Sequence, residues 1–224
     1  MRSVPVRSST VLLSGLAALV LASPAAAEPA SGLYGTVSAG VAFFNTLTGS
    51  AVTPAGSGPV TLNFNTGYSV NGELGWRFNR TFRLAGEYTY ASASISSVSG
   101  VGGSGGSGNL NSSNFFVNAY YDFEFPRPGA LGVYVGGGIG FSVTSLDGLN
   151  APIAPTLSLS GNTTVFAYQA RFGLSYNIAD RVTLLLGYRF LGSGGLTIGG
   201  GGNQQVSLGN GSVSNIELGA RFSF

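Results

Sequence analysis

The stretch TGYSVNGELGWRFNRTFRLAGEYTYAS, Thr66 to Ser92, decides the fold. Tyr68, Val70, Leu74, Trp76 and Phe78 alternate with Ser69, Asn71, Glu73 and Arg77. After Asn79 and Arg80 the alternation resumes: Phe82, Leu84, Tyr88 and Tyr90 lie between Arg83, Ala85, Glu87 and Thr89. Successive side chains of a strand point to opposite faces, so a period of two marks two amphipathic strands, and helical spacing fits neither half. Asn79-Arg80 makes the tight turn between them. The hairpin so formed places Glu73 near Glu87 and Arg77 near Arg83.

The same unit recurs on either side. SNFFVNAYYDFEF (113–125) carries Phe115, Val117, Ala119, Tyr121, Phe123 and Phe125 on one face, and Asn118, Tyr120, Asp122 and Glu124 on the other. A PRPG turn leads into LGVYVGGGIGFSV (131–143). VFAYQARFGLSYNI (165–178), the turn ADR and VTLLLGYRFLG (182–192) make a third pair. GLYGTVSAGVAFF (32–44) and NIELGARFSF (215–224) complete eight strands. Connections at 79–80, 126–130 and 179–181 are short. Those at about 45–62, 97–110, 146–163 and 197–210 are long, rich in Gly, Ser, Asn and Thr, and Asp147 is their only ionic residue. SGVGGSGGSGN within them reads as a flexible tip. An even strand number with short turns at one end and long loops at the other predicts an all-β fold, an eight-stranded antiparallel up-and-down transmembrane β-barrel.

Charge placement agrees with that layout. With the apolar faces turned to lipid, Glu73, Arg77, Arg83, Glu87, Asp122, Glu124, Arg171, Arg189, Glu217 and Arg221 all fall on the other face. An arginine against lipid near the midplane costs roughly 2–4 kcal/mol, so a bilayer enforces such sorting. An eight-stranded interior is about wide enough for side chains to fill. Five arginines and five carboxylates therefore predict a neutral lumen cross-linked by ion pairs, with the guanidinium fork suited to bridging carboxylates. The glycines of VGGGIG are expected to leave room for the long arginine side chains. Trp76, Phe78, Phe82, Phe123, Phe125, Tyr176, Phe222 and Phe224 form an aromatic girdle at the short-turn end. Tyr88, Tyr90, Phe43 and Phe141 are placed in the opposite belt.

Bulk composition fits. Charged residues make up only 8% of the 224, against about 25% for soluble domains. Arg2 and Arg7, the run VLLSGLAALVLAS and the small residues PAAAEPA predict a signal peptide over 1–27, leaving 28–224 as the barrel domain. Past residue 27 the arginines and carboxylates balance, so nothing points to nucleic acid. Lysine, cysteine and histidine are absent, so stability cannot come from disulfides.

YVGGGIGFSV (134–143), FAYQARFGLSYNIADRVTLLLGYRFL (166–191) and NIELGARFSF resemble the small outer-membrane β-barrel proteins of Gram-negative bacteria. This is the porin-like or opacity-like group related to the membrane domain of outer-membrane protein A. The resemblance spans nearly the whole chain after residue 27. It implies residence in the cell outer membrane, with lipid and lipopolysaccharide as surroundings. It also implies that Phe224 serves as part of the signal read by the barrel-assembly machinery. The peptidoglycan-binding domain of some relatives is not seen in the sequence.

Catalysis finds little support. Without histidine no Ser–His or Asp–His arrangement can form. Asp122 and Glu124 could serve as an acid/base pair, but arginine anchors account for them better. Gly100 to Gly105 matches G-x-G-x-x-G, yet a strand follows it in place of the helix a dinucleotide site needs. Neither a cofactor nor a metal site is expected, and the sequon Asn162-Thr163-Thr164 has no eukaryotic secretory context. Two functions remain: a structural, surface-exposed barrel with a plugged lumen and four flexible extracellular loops, or a low-conductance pore for ions or small solutes. Adhesion by the loops is a third, and their sequence names no ligand.

Overall fold

The computed structural model describes residues 31–53, 56–100, 103–124, 131–151, 157–200 and 204–224. The expected signal peptide over 1–27, the expected turn at PRPG and Phe125 lie outside the described residues. The described residues form β1 (Gly32–Phe44), β2 (Leu47–Thr53), β3 (Gly56–Phe64), β4 (Gly67–Arg77), β5 (Phe82–Gly100), β6 (Gly103–Gly105), β7 (Ser107–Glu124), β8 (Leu131–Ala151), β9 (Leu157–Ala179), β10 (Val182–Gly200) and β11 (Gln204–Ser223).

These segments reduce to eight ladders, because three of them continue a neighbour in register. Phe44 of β1 opposes Val213, and Ala51 of β2 opposes Val206 on the same β11. Likewise β3 extends β4 along β5, and β6 extends β7 along β5. The predicted hairpin is present, with Glu73 opposite Glu87 and Arg77 opposite Arg83. All pairings are antiparallel, and β1 pairs with both β4 and β11, which closes the ring.

Closure fixes the tilt. Pairs lead from Phe43 through Ser214, Phe190, Ala170, Gly137, Ala119, Leu84 and Trp76 to Leu33, on the strand where the circuit began. The offset from residue 43 to residue 33, at about 3.3 Å per residue and about 4.8 Å between strands, tilts the strands by roughly 40°. Each residue then climbs about 2.5 Å along the barrel axis, and about ten residues cross the ~25 Å apolar band. Strands β8 to β11 have 19 to 23 residues, so they stand well clear of the bilayer.

The long connections differ from the expectation of flexible loops: most of their described residues are strand. The alternation persists there in different residues. Ser, Thr, Asn and Gly face outward, while Leu47, Ala51, Val60, Leu62, Ile95, Val98, Leu110, Leu146, Leu149, Leu196, Ile198, Val206 and Leu208 form one buried apolar cluster. Glycine and serine at the outward positions lower strand propensity and hide the pattern. The barrel thus has two storeys of opposite polarity. Near the short turns it is apolar outside and ionic inside; beyond, it is polar outside and apolar inside.

Irregular positions mark the junction. Asn45 and Thr46 are both exposed, as are Asn65 and Thr66. Register shifts fall at Ser193/Gly195 and Gly195/Leu196 on β10 and at Asn63/Phe64 on β3. Such bulges bend a strand and reset which face its side chains take. Except for Val52, the exposed large apolar residues lie between the junction and the short-turn end.

Candidate functional site

Inward-facing strand positions bring the predicted charges together inside the lower storey. Glu73, Arg77, Arg83, Glu87, Arg171, Arg189, Glu217 and Arg221 are all buried, and the Asp122 side chain is 11% exposed. Glu124 sits on β7 opposite Gly132, and its side chain is not described.

Four residues close a ring of charge across the lumen. Arg171 donates to Glu87 at 2.7 Å and to Glu217 at 3.0 Å. Arg189 lies 2.8 Å from Glu87 and 2.9 Å from Glu217. The second contact is an ion pair without hydrogen-bond alignment, since both atoms lack a bonded partner; a longer bond to Glu217, at 3.3 Å, is aligned. Strands β5, β9, β10 and β11 each give one member, so the ring ties together distant parts of the wall. Glu73 joins from β4 through Arg171 at 3.4 Å. Like charges paired across the β4–β5 hairpin are thereby held by arginine from the far wall. Burial of a charge is costly unless it is paired and hydrogen-bonded, and nearly every oxygen here has a donor.

A second cluster lies nearer the short turns. Arg83 clasps Asp122 with both prongs, Nε at 2.6 Å and Nη2 at 3.0 Å. Arg77 approaches the same carboxylate at 3.7 Å. This two-bond geometry is the strong form of arginine–carboxylate contact, and it makes Asp122 an anchor.

Three inward tyrosines complete the site: the sequence places Tyr120 on the lumen face without giving it a role, and it leaves Tyr34 and Tyr134 unassigned. Tyr120 donates to Glu73, and Arg171 donates to the Tyr120 oxygen at 2.8 Å. The Arg83 guanidinium lies over the Tyr120 ring at 4.4 Å and the Tyr34 ring at 5.1 Å, and Arg221 lies over Tyr34 at 5.6 Å. These are cation–π distances. Tyr134 packs with Tyr34, Tyr120, Ala85 and Leu185. Strand parity marks Tyr34, Tyr120 and Tyr134 as inward, but tyrosine serves equally in a lipid girdle, so residue type misleads.

Glycines make room for these rings, which corrects the role expected for VGGGIG. A Cβ on Gly136 would strike the Tyr120 ring, and one on Gly138 would strike the Asn118 side chain. The space serves β7 side chains across the strand, not the arginines. Gln169 and Asn118 extend the network, with Gln169 donating to Asn118 at 2.7 Å and Asn118 donating to Glu87 at 2.8 Å.

Outside, Trp76, Phe78, Phe82, Phe123, Tyr176, Phe222 and Phe224 are exposed near the short turns. The Phe224 amide donates to the Leu33 carbonyl at 3.0 Å, pinning the last residue to β1. At the other edge of the apolar band, Tyr88, Phe115 and Phe141 form a row with ring centroids 5.1 and 5.0 Å apart. Phe172 and Tyr188 pair at 5.0 Å on the adjoining β9–β10 ladder.

Comparison with known proteins follows this architecture. The model of the family described as outer membrane protein beta-barrel domain matches residues 10–224. Neisserial surface protein A, a solved structure, is similar at 22% identity with a TM-score of 0.54, covering 88% of this chain and 100% of its own. Outer membrane protein OprG from Pseudomonas aeruginosa is similar at 12% identity with a TM-score of 0.58, covering 88% and 99%. At these identities the likeness concerns the fold. No curated protein matches the chain in sequence.

Proposed function

Since the chain belongs to the outer membrane protein β-barrel domain family and so resides in the cell outer membrane, we propose that it is a structural, surface-displayed barrel whose lumen is plugged. The observation that carries this reading is the ring Arg171–Glu87–Arg189–Glu217, which spans the lumen from four strands. Beyond it the apolar cluster around Leu62, Leu146 and Leu149 adds a second obstruction. In this reading the ionic network braces the wall and the polar upper storey faces the exterior. The two aromatic belts seat the barrel among lipid and lipopolysaccharide, Phe224 presents the chain to the assembly machinery, and residues 1–27 direct export. The barrel works as a scaffold and performs no reaction of its own.

A low-conductance pore is the second reading. Asn71, Asn114, Gln169 and Asn215 are buried in the lumen with amide oxygens that accept no hydrogen bond. Buried acceptors of this kind are ordinarily met by water, which favours a hydrated path past the ring. Planar-bilayer recording and liposome swelling with the purified barrel separate the two. Silence supports the plug; steady conductance or size-graded solute flux overturns it.

A further inference from the structure

Strands β9 and β10 pair from Val182 opposite Ala179 up to Ser193 opposite Ala167, and their ladder ends there. Both strands run on. Above that point β9 pairs with β8 as far as Leu157 opposite Ala151, and β10 pairs with β11 as far as Gly200 opposite Gln204. Among the described residues, 157–166 of β9 and 194–200 of β10 therefore have a ladder on one side only.

The cause is a mismatch of parity. Below the break, inward Arg189 and Leu191 of β10 stand opposite inward Arg171 and Gln169 of β9, all at odd positions. The register shifts at Ser193, Gly195 and Leu196 then turn Leu196 and Ile198, at even positions, inward. β11 makes the same change, from inward Asn215 and Val213 to inward Leu208 and Val206, so its ladder with β10 continues. β9 does not change, and Asn162 and Thr164 stay exposed like Phe166 below them. The two strands are one residue out of step, and a slip of one residue puts partners on opposite faces.

The edges remain adjacent: a Cβ on Gly161 would lie 2.9 Å from the Ile198 side chain. Gly161, Thr163 and Val165, on the inward side of β9, are half-buried, whereas Leu196 and Ile198 are buried. Proteins guard free edges with charges or proline, because unpaired backbone groups attract another strand. Neither LSLSGNTTVF (157–166) nor GGLTIGG (194–200) contains either. Phe166 stands opposite Phe141 of the upper aromatic row, so the seam begins at the top of the apolar band and runs through the polar storey.

We propose that the seam between β9 and β10 is a strand-addition site for an extended, uncharged polypeptide segment of another protein at the cell surface. The guest backbone pairs with the free edge of β9 and continues the β8–β9 ladder, while Gly194 and Gly195 let the upper arm of β10 give way. Alternate guest side chains fall inward against Val165, Leu196 and Ile198, so those positions are apolar; the others face water and carry hydroxyls. A charge at an inward position would lose its water with no opposite charge on either edge. Nothing passes through the wall, and the site is independent of whether the lumen conducts.

The test uses the barrel in lipid nanodiscs and the acetylated heptapeptide TVTLTVT, its central leucine replaced by photoleucine, with crosslinks mapped by mass spectrometry. Crosslinks to Thr163, Val165, Leu196 or Ile198 are expected. They should fall at least tenfold when alternate amides of the peptide are N-methylated in one of the two phases, which keeps every side chain and removes backbone pairing. Undiminished crosslinking by both N-methylated phases, or crosslinks confined to lipid-facing residues such as Phe172 and Leu186, overturns the proposal. Gly161→Cys with Ile198→Cys sets two thiols across the seam in a chain that has no other cysteine. Oxidised, this barrel should lose at least tenfold of the crosslink, and reduction should restore it. Should the bridge not form, Thr197→Lys charges the edge of β10 and should cut crosslinking at least fivefold in barrels that keep heat-modifiable gel mobility. Undiminished crosslinking in the bridged barrel, or in a folded Thr197→Lys barrel where no bridge forms, also overturns it.

Discussion

Arg189 and Glu87 meet at 2.8 Å in the middle of the lumen, both fully out of contact with solvent. They stand on strands that do not pair with each other, so the contact links separate stretches of wall. Removing one partner leaves the other as a buried charge, which is costlier than losing both.

Arg189→Ala and Glu217→Ala should therefore each destabilise the barrel by about 3–5 kcal/mol. Urea titration in detergent, read by the gel shift between folded and unfolded barrel, measures this. Midpoints equal to wild type in both variants would remove the ring as a source of stability.

Paired removal should cost less than the separate losses imply. Glu87→Gln with Arg189→Met leaves neither charge facing a vacancy. The double-mutant cycle should show a coupling of about 1–3 kcal/mol. Additive losses would mean that the two residues act apart.

The upper core should matter as much as a soluble protein's core. Leu62 and Leu146 are fully buried there, and truncation of such a side chain to alanine costs about 2–5 kcal/mol. Leu62→Ala and Leu146→Ala should lower the urea midpoint, whereas Leu74→Ala, on the lipid-facing side, should shift it far less. The reverse order would place the stabilising core elsewhere.

Glycine positions should divide by face. A Cβ on Gly140 collides with the Phe115 carbonyl, while one on Gly72 meets nothing within 4 Å. Gly140→Ala should reduce the folded fraction after refolding into detergent, and Gly72→Ala should leave it unchanged. Equal yields would show that the wall yields at Gly140.

Much of this was legible in the sequence because a bilayer imposes a strict rule on alternate residues. Glu73, Arg77, Arg83 and Glu87 could be assigned to one face, and their cross-strand register followed from the turn at Asn79 and Arg80. Residues such as Ile95, Leu146, Leu196 and Val206 escaped notice for a physical reason. Their chain neighbours are Ser, Thr, Gly, Gln and Asp, so those segments look like linkers until the inward face is known to be filled. The break in the strand at Asn45–Thr46 and the register shifts at Gly195 reset the parity and interrupt the pattern. Tyr34 and Tyr134 are hidden differently, because a phenol suits a guanidinium as well as a headgroup.

The junction between the storeys has a consequence for how the molecule sits. Below it an outward residue obeys the rules of oil, above it those of water, and the change is completed within a few residues on several strands. Sliding vertically by a single turn of the pleat would drown leucines on one side or strand hydroxyls in hydrocarbon on the other. The chain carries its own waterline, and the bilayer has little choice about where to meet it.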